Sequence, residues 1–135
     1  MPLTLERAKK IIVACEKKAQ EVGIPMGITV VDASGRMIAS VRMDGTSWIA
    51  PDVARAKACA AAAFGQPTAE MRAMAQALPD FFASLASITG GEFAAAAGGV
   101  PIKEEGRVIG AVGVAGGPPD VDDACARAGV EVAGE

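Results

Sequence analysis

The chain has 135 residues, 51% apolar and only 4% aromatic, with 13 Lys+Arg against 16 Asp+Glu and neither histidine nor tyrosine. The length suits one domain, residues 1–135, with a modest core. Without an imidazole, Ser-His-Asp and Cys-His catalysis and His-ligated zinc or haem are excluded, and a net charge of −3 with few rings argues against nucleic acid as a partner.

Thr4 is a suitable N-cap for a first helix, in which Ala8, Ile12, Cys15, Ala19 and Val22 make one apolar stripe and Gly23 supplies the stop. Residues 26–32 are rich in Ile, Val and Thr, and 36–42 follow a turn at Ala33-Ser34-Gly35, which predicts a β-hairpin. A loop holding the only tryptophan, Trp48, leads to Pro51, where an alanine-rich helix begins and runs to Phe64-Gly65. Thr68 is predicted to cap a further helix through Leu78, and Pro79-Asp80 opens another carrying Phe81, Phe82 and Leu85. These two adjacent rings cannot share a helix face, so one is expected to meet a pocket or a partner subunit. Glycines at 90, 91, 98 and 99 bracket residues 92–97, which carry no clear periodicity. Residues 100–104 and 107–114 flank Glu105-Gly106 as a second hairpin. Gly116-Gly117-Pro118-Pro119 then opens a final helix, with Asp120, Asp122 and Asp123 at its positive end. The order α-β-β-α-α-α-β-β-α points to an α+β domain, an antiparallel sheet covered by helices.

Cys15, Cys59 and Cys125 are widely spaced, odd in number and unpaired as C-x-x-C, the pattern of buried thiols in a reducing compartment. The cysteines form no cluster that would mark a metal site. The N-terminus acquires charge at once, without the apolar stretch of a signal peptide, and no run is long enough for a membrane span. A soluble cytoplasmic protein without membrane partners is expected. A mean hydropathy of +0.32 with so few large side chains further suggests a homo-oligomer.

The stretch Gly98-Gly99-Val100-Pro101-Ile102, followed by residues 106–114, Gly116-Gly117 and Asp123, resembles the signature of the GlcG/HbpS-like family. That haem-binding-protein-like group includes the C-terminal domain of PduO-type proteins. Val30-Val31-Asp32, Gly35, Arg42-Met43-Asp44 and Arg55-Ala56-Lys57-Ala58 resemble its other landmarks, in order and across essentially the whole chain. The resemblance implies a profilin-like layered fold and assembly from dimers to octamers. It also implies binding of small molecules, haem in some members. Haem is disfavoured here, since only Cys, Met or Lys remains to ligate it, and no cofactor is expected. Ala115 and Ala60 stand where serine and threonine are common in the family, removing hydroxyls from its expected pocket.

Lys57 is the most suggestive ionisable residue, mid-helix among small neighbours. If its face turns inward it needs a carboxylate, which an anionic ligand or a structural Asp would supply. Were Lys57 to lower the thiol pKa of Cys59, that cysteine would become reactive. The pairs Gly98-Gly99 and Gly116-Gly117 either present N–H groups to an anion or simply form turns. Arg42 suits a carboxylate or closes its hairpin on Asp44. Phe64 is an aromatic candidate for ligand contact, although core packing is the usual fate of Trp48 and the phenylalanines. The leading expectation is therefore a protein binding an anionic or aromatic metabolite through Arg42, Lys57, Phe64 and the four glycines. The alternative is a cofactor-free lyase or isomerase using Lys57 with Asp44 or Glu92. A further alternative is haem binding through a non-histidine ligand. Removal of Met1 would expose Pro2 as a tautomerase-type base, against the commonplace proline near a helix start.

Overall fold

Thr4 accepts a hydrogen bond from the Arg7 N–H at 3.1 Å, so helix α1 (Leu5–Val22) starts where its cap predicts. In the computed structural model, which describes residues 2–133, there follow β1 (Gly27–Asp32), β2 (Met37–Arg42) and α2 (Ala50–Phe64). A 3-10 turn (Thr68–Met71), α3 (Arg72–Ala77) and α4 (Pro79–Ile88) come next. The chain closes with β3 (Gly99–Glu104), β4 (Arg107–Ala115) and α5 (Pro119–Glu131). The stripe on α1 holds from Ala8 to Ala19 but not at Val22, which is exposed, while Ile11 is buried. The buried face is wider than the inferred stripe by Ile11 near the start and frays at the end.

Both hairpins form. The Asp32 carboxylate fixes the first turn by accepting from the Ser34 and Arg36 N–H groups at 2.8 and 3.0 Å. The hairpins join through β1 and β4, giving one antiparallel α+β sheet in the order β2-β1-β4-β3. Alternation sends Ile28, Val30, Val100, Ile102, Val112 and Val114 to one face, against Ile11, Ile12 and Cys15 of α1 and Cys125 of α5. Each such aliphatic chain contributes about 1.5–3 kcal/mol on burial, so this face carries most of the apolar stabilisation.

The opposite face is made of small residues and takes α2. Val31 and Ala111 meet Ala58, Ala61 and Ala62, and Ala115 meets Ala50 and Ala54. Gly27, Gly113 and Gly99, on β1, β4 and β3, form a trough in which the helix backbone lies directly on the sheet. A Cβ at Gly27 would meet the Ala50 carbonyl carbon at 2.5 Å, and one at Gly113 would come within 2.9 Å of the Ala58 nitrogen. The alanine content of α2 is thus explained by close approach.

The segment after α2 departs from the sequence reading. Thr68 does not cap a helix; it lies inside the 3-10 turn, fully buried. Its hydroxyl donates to the Ala96 carbonyl at 2.6 Å and accepts from the Gly99 N–H at 2.9 Å. That use of the side chain ties the turn to residues 96–99, and α3 begins only at Arg72. Trp48 is 72% exposed rather than in the core.

Candidate functional site

Lys57 projects from α2 over the end of the sheet and is spoken for. Its Nζ donates to Asp122 Oδ2 at 2.9 Å and to the Val114 carbonyl at 3.0 Å, with the two side chains only 6% and 4% exposed. Of the two partners open at the sequence level, the structural Asp is the one present. Gly98 presses against this ammonium: with φ at 130°, it has a backbone geometry that side chains avoid, and a Cβ there would sit 2.9 Å from Nζ. Gly117 donates its N–H to Asp122 Oδ1 at 2.9 Å, so this member of the second glycine pair serves the protein's own carboxylate. Burial pushes the Asp122 carboxyl above its usual range, opposed by the Lys57 hydrogen bond and charge and by the Gly117 N–H.

The remaining predicted residues do not converge on Lys57. Arg42 and Asp44 are exposed at the same end of the sheet, where Arg42 lies opposite Gly27, itself opposite Ala115. Glu92 accepts from Arg36 at 2.5 Å and from Arg55 at 3.1 Å. Hydrogen bonding from Arg36 is the main influence holding the Glu92 carboxyl below its usual range; burial, next in size, opposes it, and the charges of Arg36 and Arg55 assist. Phe64 packs on Phe93 and Phe82, with centroids at 5.5 and 6.2 Å, at the far end of α2. Phe82 is buried and Phe81 is exposed, divided as two adjacent helical positions require. Cys59 donates to the Gly35 carbonyl at 3.2 Å, and burial, reinforced by the Glu92 charge, raises its pKa. Lys57 points elsewhere, so the idea that it activates Cys59 is corrected.

A groove of about 760 Å³ opens beside the chain segment that precedes Gly98. It is shaped by the 3-10 turn with α3, Pro79 at the start of α4, the irregular residues 95–97, and the start of α5. Alanines at 69, 75, 95, 96 and 97 form its walls, and the space exists because these side chains stop at Cβ. The polar groups are Arg72 and Gln76 on α3 and Asp120 and Asp123 on α5. Its irregular wall is held from three sides. Glu92 is clamped by Arg36 and Arg55, the Ala94 N–H donates to the Ala56 carbonyl at 3.2 Å, and Thr68 bonds Ala96.

Arg72 and Gln76 escaped the sequence reading. A short, weakly apolar helix gave no sign of which face it turned to a cavity. The one available signal was the alanine run at 94–97 between glycine pairs, which leaves a wall with nothing to fill the space beside it.

Comparison with known proteins gives this geometry a family. The model for "Haem degrading protein HbpS-like" matches residues 3–131. A 15.0 kDa protein from the dhaT-dhaS intergenic region of Citrobacter freundii is 34% identical over 120 residues, covering 89% of this chain and 84% of the relative. Protein GlcG of Escherichia coli K12 is 34% identical over 112 residues, 83% of this chain and 80% of the relative. A crystal structure of a double mutant of HbpS from Streptomyces reticuli superposes with a TM-score of 0.88 at 33% identity, covering 98% of this chain and 87% of that one. The chain therefore belongs to the HbpS-like family, the GlcG/HbpS group that its glycine signature resembles.

Proposed function

We propose that this chain is a small-molecule-binding protein whose ligand is an anionic metabolite held in the alanine-walled groove, within a homo-oligomer. One observation carries the reading. Arg72 lines the groove with no ion-pair or hydrogen-bond partner among the described residues, whereas Lys57 already has its carboxylate. A guanidinium facing an apolar-walled cavity is suited to bind a carboxylate in bidentate fashion.

The family description raises haem, and the residues lining the groove do not fit its axial ligation. The groove lining contains no Cys, Met, Lys or Tyr. Outside it, Cys15, Cys59, Cys125, Met26 and Met71 are buried, and the exposed methionines Met37 and Met74 do not line the groove. The proposed ligand is therefore one held by charge and shape.

The test is a titration of isotope-labelled protein with straight-chain carboxylates from acetate to hexanoate, followed by amide NMR shifts. Saturable shifts at residues 69–76 and 95–97 that are lost in Arg72→Gln support the reading. Absence of such shifts with every member overturns it. Native mass spectrometry of the same sample reads the oligomeric order, and a monomer would remove the assembly part of the proposal.

A further inference from the structure

Between Arg72 and Glu92 the chain carries a single charge, Asp80. That tract folds as α3 and α4, yet little of it is covered. No residue of α3 is buried, and Phe82 alone is buried on α4. Met71, just before α3, and Phe82 tie the pair to the body through a small cluster with Ala60 and Phe93. On the outside, Met74, Leu78, Phe81 and Ile88 are 44%, 51%, 50% and 75% exposed. Helices shorter than about 12–15 residues are marginal in water and persist by packing an apolar face. These have six and ten residues, and the side chains that would sustain them stand in solvent.

Resting on the homo-oligomer and the anion site proposed above, we propose that this outer face is where a second copy of the chain docks, α3–α4 against its counterpart across a two-fold axis. Area and charge select that occupant. At about 200 Å² for a large side chain, the four exposures leave roughly 450 Å² in water. Matched against itself the patch removes about 900 Å², and the exposed Ala73, Ala77 and Ala83 carry it toward the ~1,200 Å² at which stable interfaces begin. Each copy has a net charge of −3, so two copies approach most easily where the surface is uncharged. A charged partner finds no set of countercharges on residues 73–91, and an anionic membrane finds no lysine or arginine there. The docking also completes the groove. Met74 and Leu78 each fall two positions after Arg72 and Gln76, on the opposite side of the turn, so a copy packed there steadies the wall that presents the guanidinium. Phe81 is then the ring turned to a partner subunit.

Sedimentation velocity and native mass spectrometry of the whole chain read the result. Phe81→Asp and, separately, Ile88→Asp are expected to lower the assembly's mass by a factor of about two or more. Amide exchange is expected to quicken in residues 72–88 and stay slow in the sheet, which separates loss of the interface from misfolding. Trp48→Ser, which removes an exposed ring elsewhere, is expected to keep the wild-type mass. In the carboxylate titration, Phe81→Asp is expected to bind about tenfold more weakly with Arg72 in place; Arg72→Gln loses binding and keeps the mass. Wild-type mass in both Asp variants overturns the interface, as does dissociation by Trp48→Ser alone. Dissociation with carboxylate affinity unchanged overturns the role of the copy at the groove. A monomeric wild type overturns the interface together with the proposed assembly, and its flotation with phosphatidylcholine vesicles would assign the face to lipid. An assembled wild type that binds no carboxylate but is split by Phe81→Asp removes the anion reading and supports the interface.

Discussion

Replacing Lys57 by Met tests whether the most conspicuous lysine is structural. Met preserves length and helix propensity and removes the charge. The substitution deletes two hydrogen bonds, to Asp122 at 2.9 Å and to Val114 at 3.0 Å, and leaves Asp122 with only the Gly117 N–H. Breaking a buried ion pair from one side costs about 3–5 kcal/mol. With a urea slope of about 2 kcal/mol per molar, a loss of 4 kcal/mol lowers the midpoint by about 2 M. The deficit should depend on pH in a definite direction. Burial already raises the Asp122 carboxyl, and without Lys57 it rises further, so the folded variant holds a proton that the unfolded chain has released. Stability of the variant therefore falls as pH rises through that window and recovers as pH is lowered from 7 toward 5. Lys57→Met with Asp122→Asn, which leaves no charge behind, should recover most of the loss at pH 7. Unfolding is followed by circular dichroism at fixed protein concentration, since assembly would otherwise shift the midpoint. A loss below about 1 kcal/mol at pH 7, or a double variant no better than the single, would refute the argument.

Two further outcomes follow from the wall of the groove. Thr68→Val keeps the shape but leaves the Ala96 carbonyl and the Gly99 N–H without their partner, and should cost about 1–3 kcal/mol by urea denaturation; a neutral result would mean that the staple is dispensable. Arg36 and Arg55 hold the Glu92 carboxyl below its reference value of 4.5, so its stabilisation is present above that pH and is lost as pH falls through the lowered folded value. Melting temperatures of wild type and Glu92→Gln should therefore converge as pH drops from 6 to 3, and a constant gap would argue against the ion pairs.

Local chemistry made much of the fold legible. Caps, turns and alternation located α1, both hairpins and α2 to within a residue or two, because those signals act over a few neighbours. What joins the hairpins was not legible: the β1–β4 pairing links Gly27 with Ala115 across most of the chain, and no local signal carries it. Thr68 misled for a physical reason. A threonine before a helical run is a good cap, and only the tertiary structure shows its hydroxyl bonding to residues about thirty positions away. Lys57 was found with its alternatives open, yet its partner Asp122 was read as a contributor to the α5 dipole. The groove lay furthest from sequence reasoning, since a cavity is defined by the side chains that are missing.

The glycine trough beneath α2 also bears on how this sequence can drift. Most crowded positions in a protein are negotiable: a Cβ at Gly117 would meet the Met26 Cε at 2.9 Å, the free end of a flexible chain that a second substitution can shorten. At Gly27 and Gly113 the obstruction is the main chain of α2, which every amino acid carries alike. No change elsewhere on the helix can make room, so these positions lack the compensating partners through which core residues usually exchange. A homologue carrying a side chain at either position would have α2 lifted from the sheet, and with it a displaced Lys57. Such a homologue would need a different way to hold the end of α5 where the groove begins.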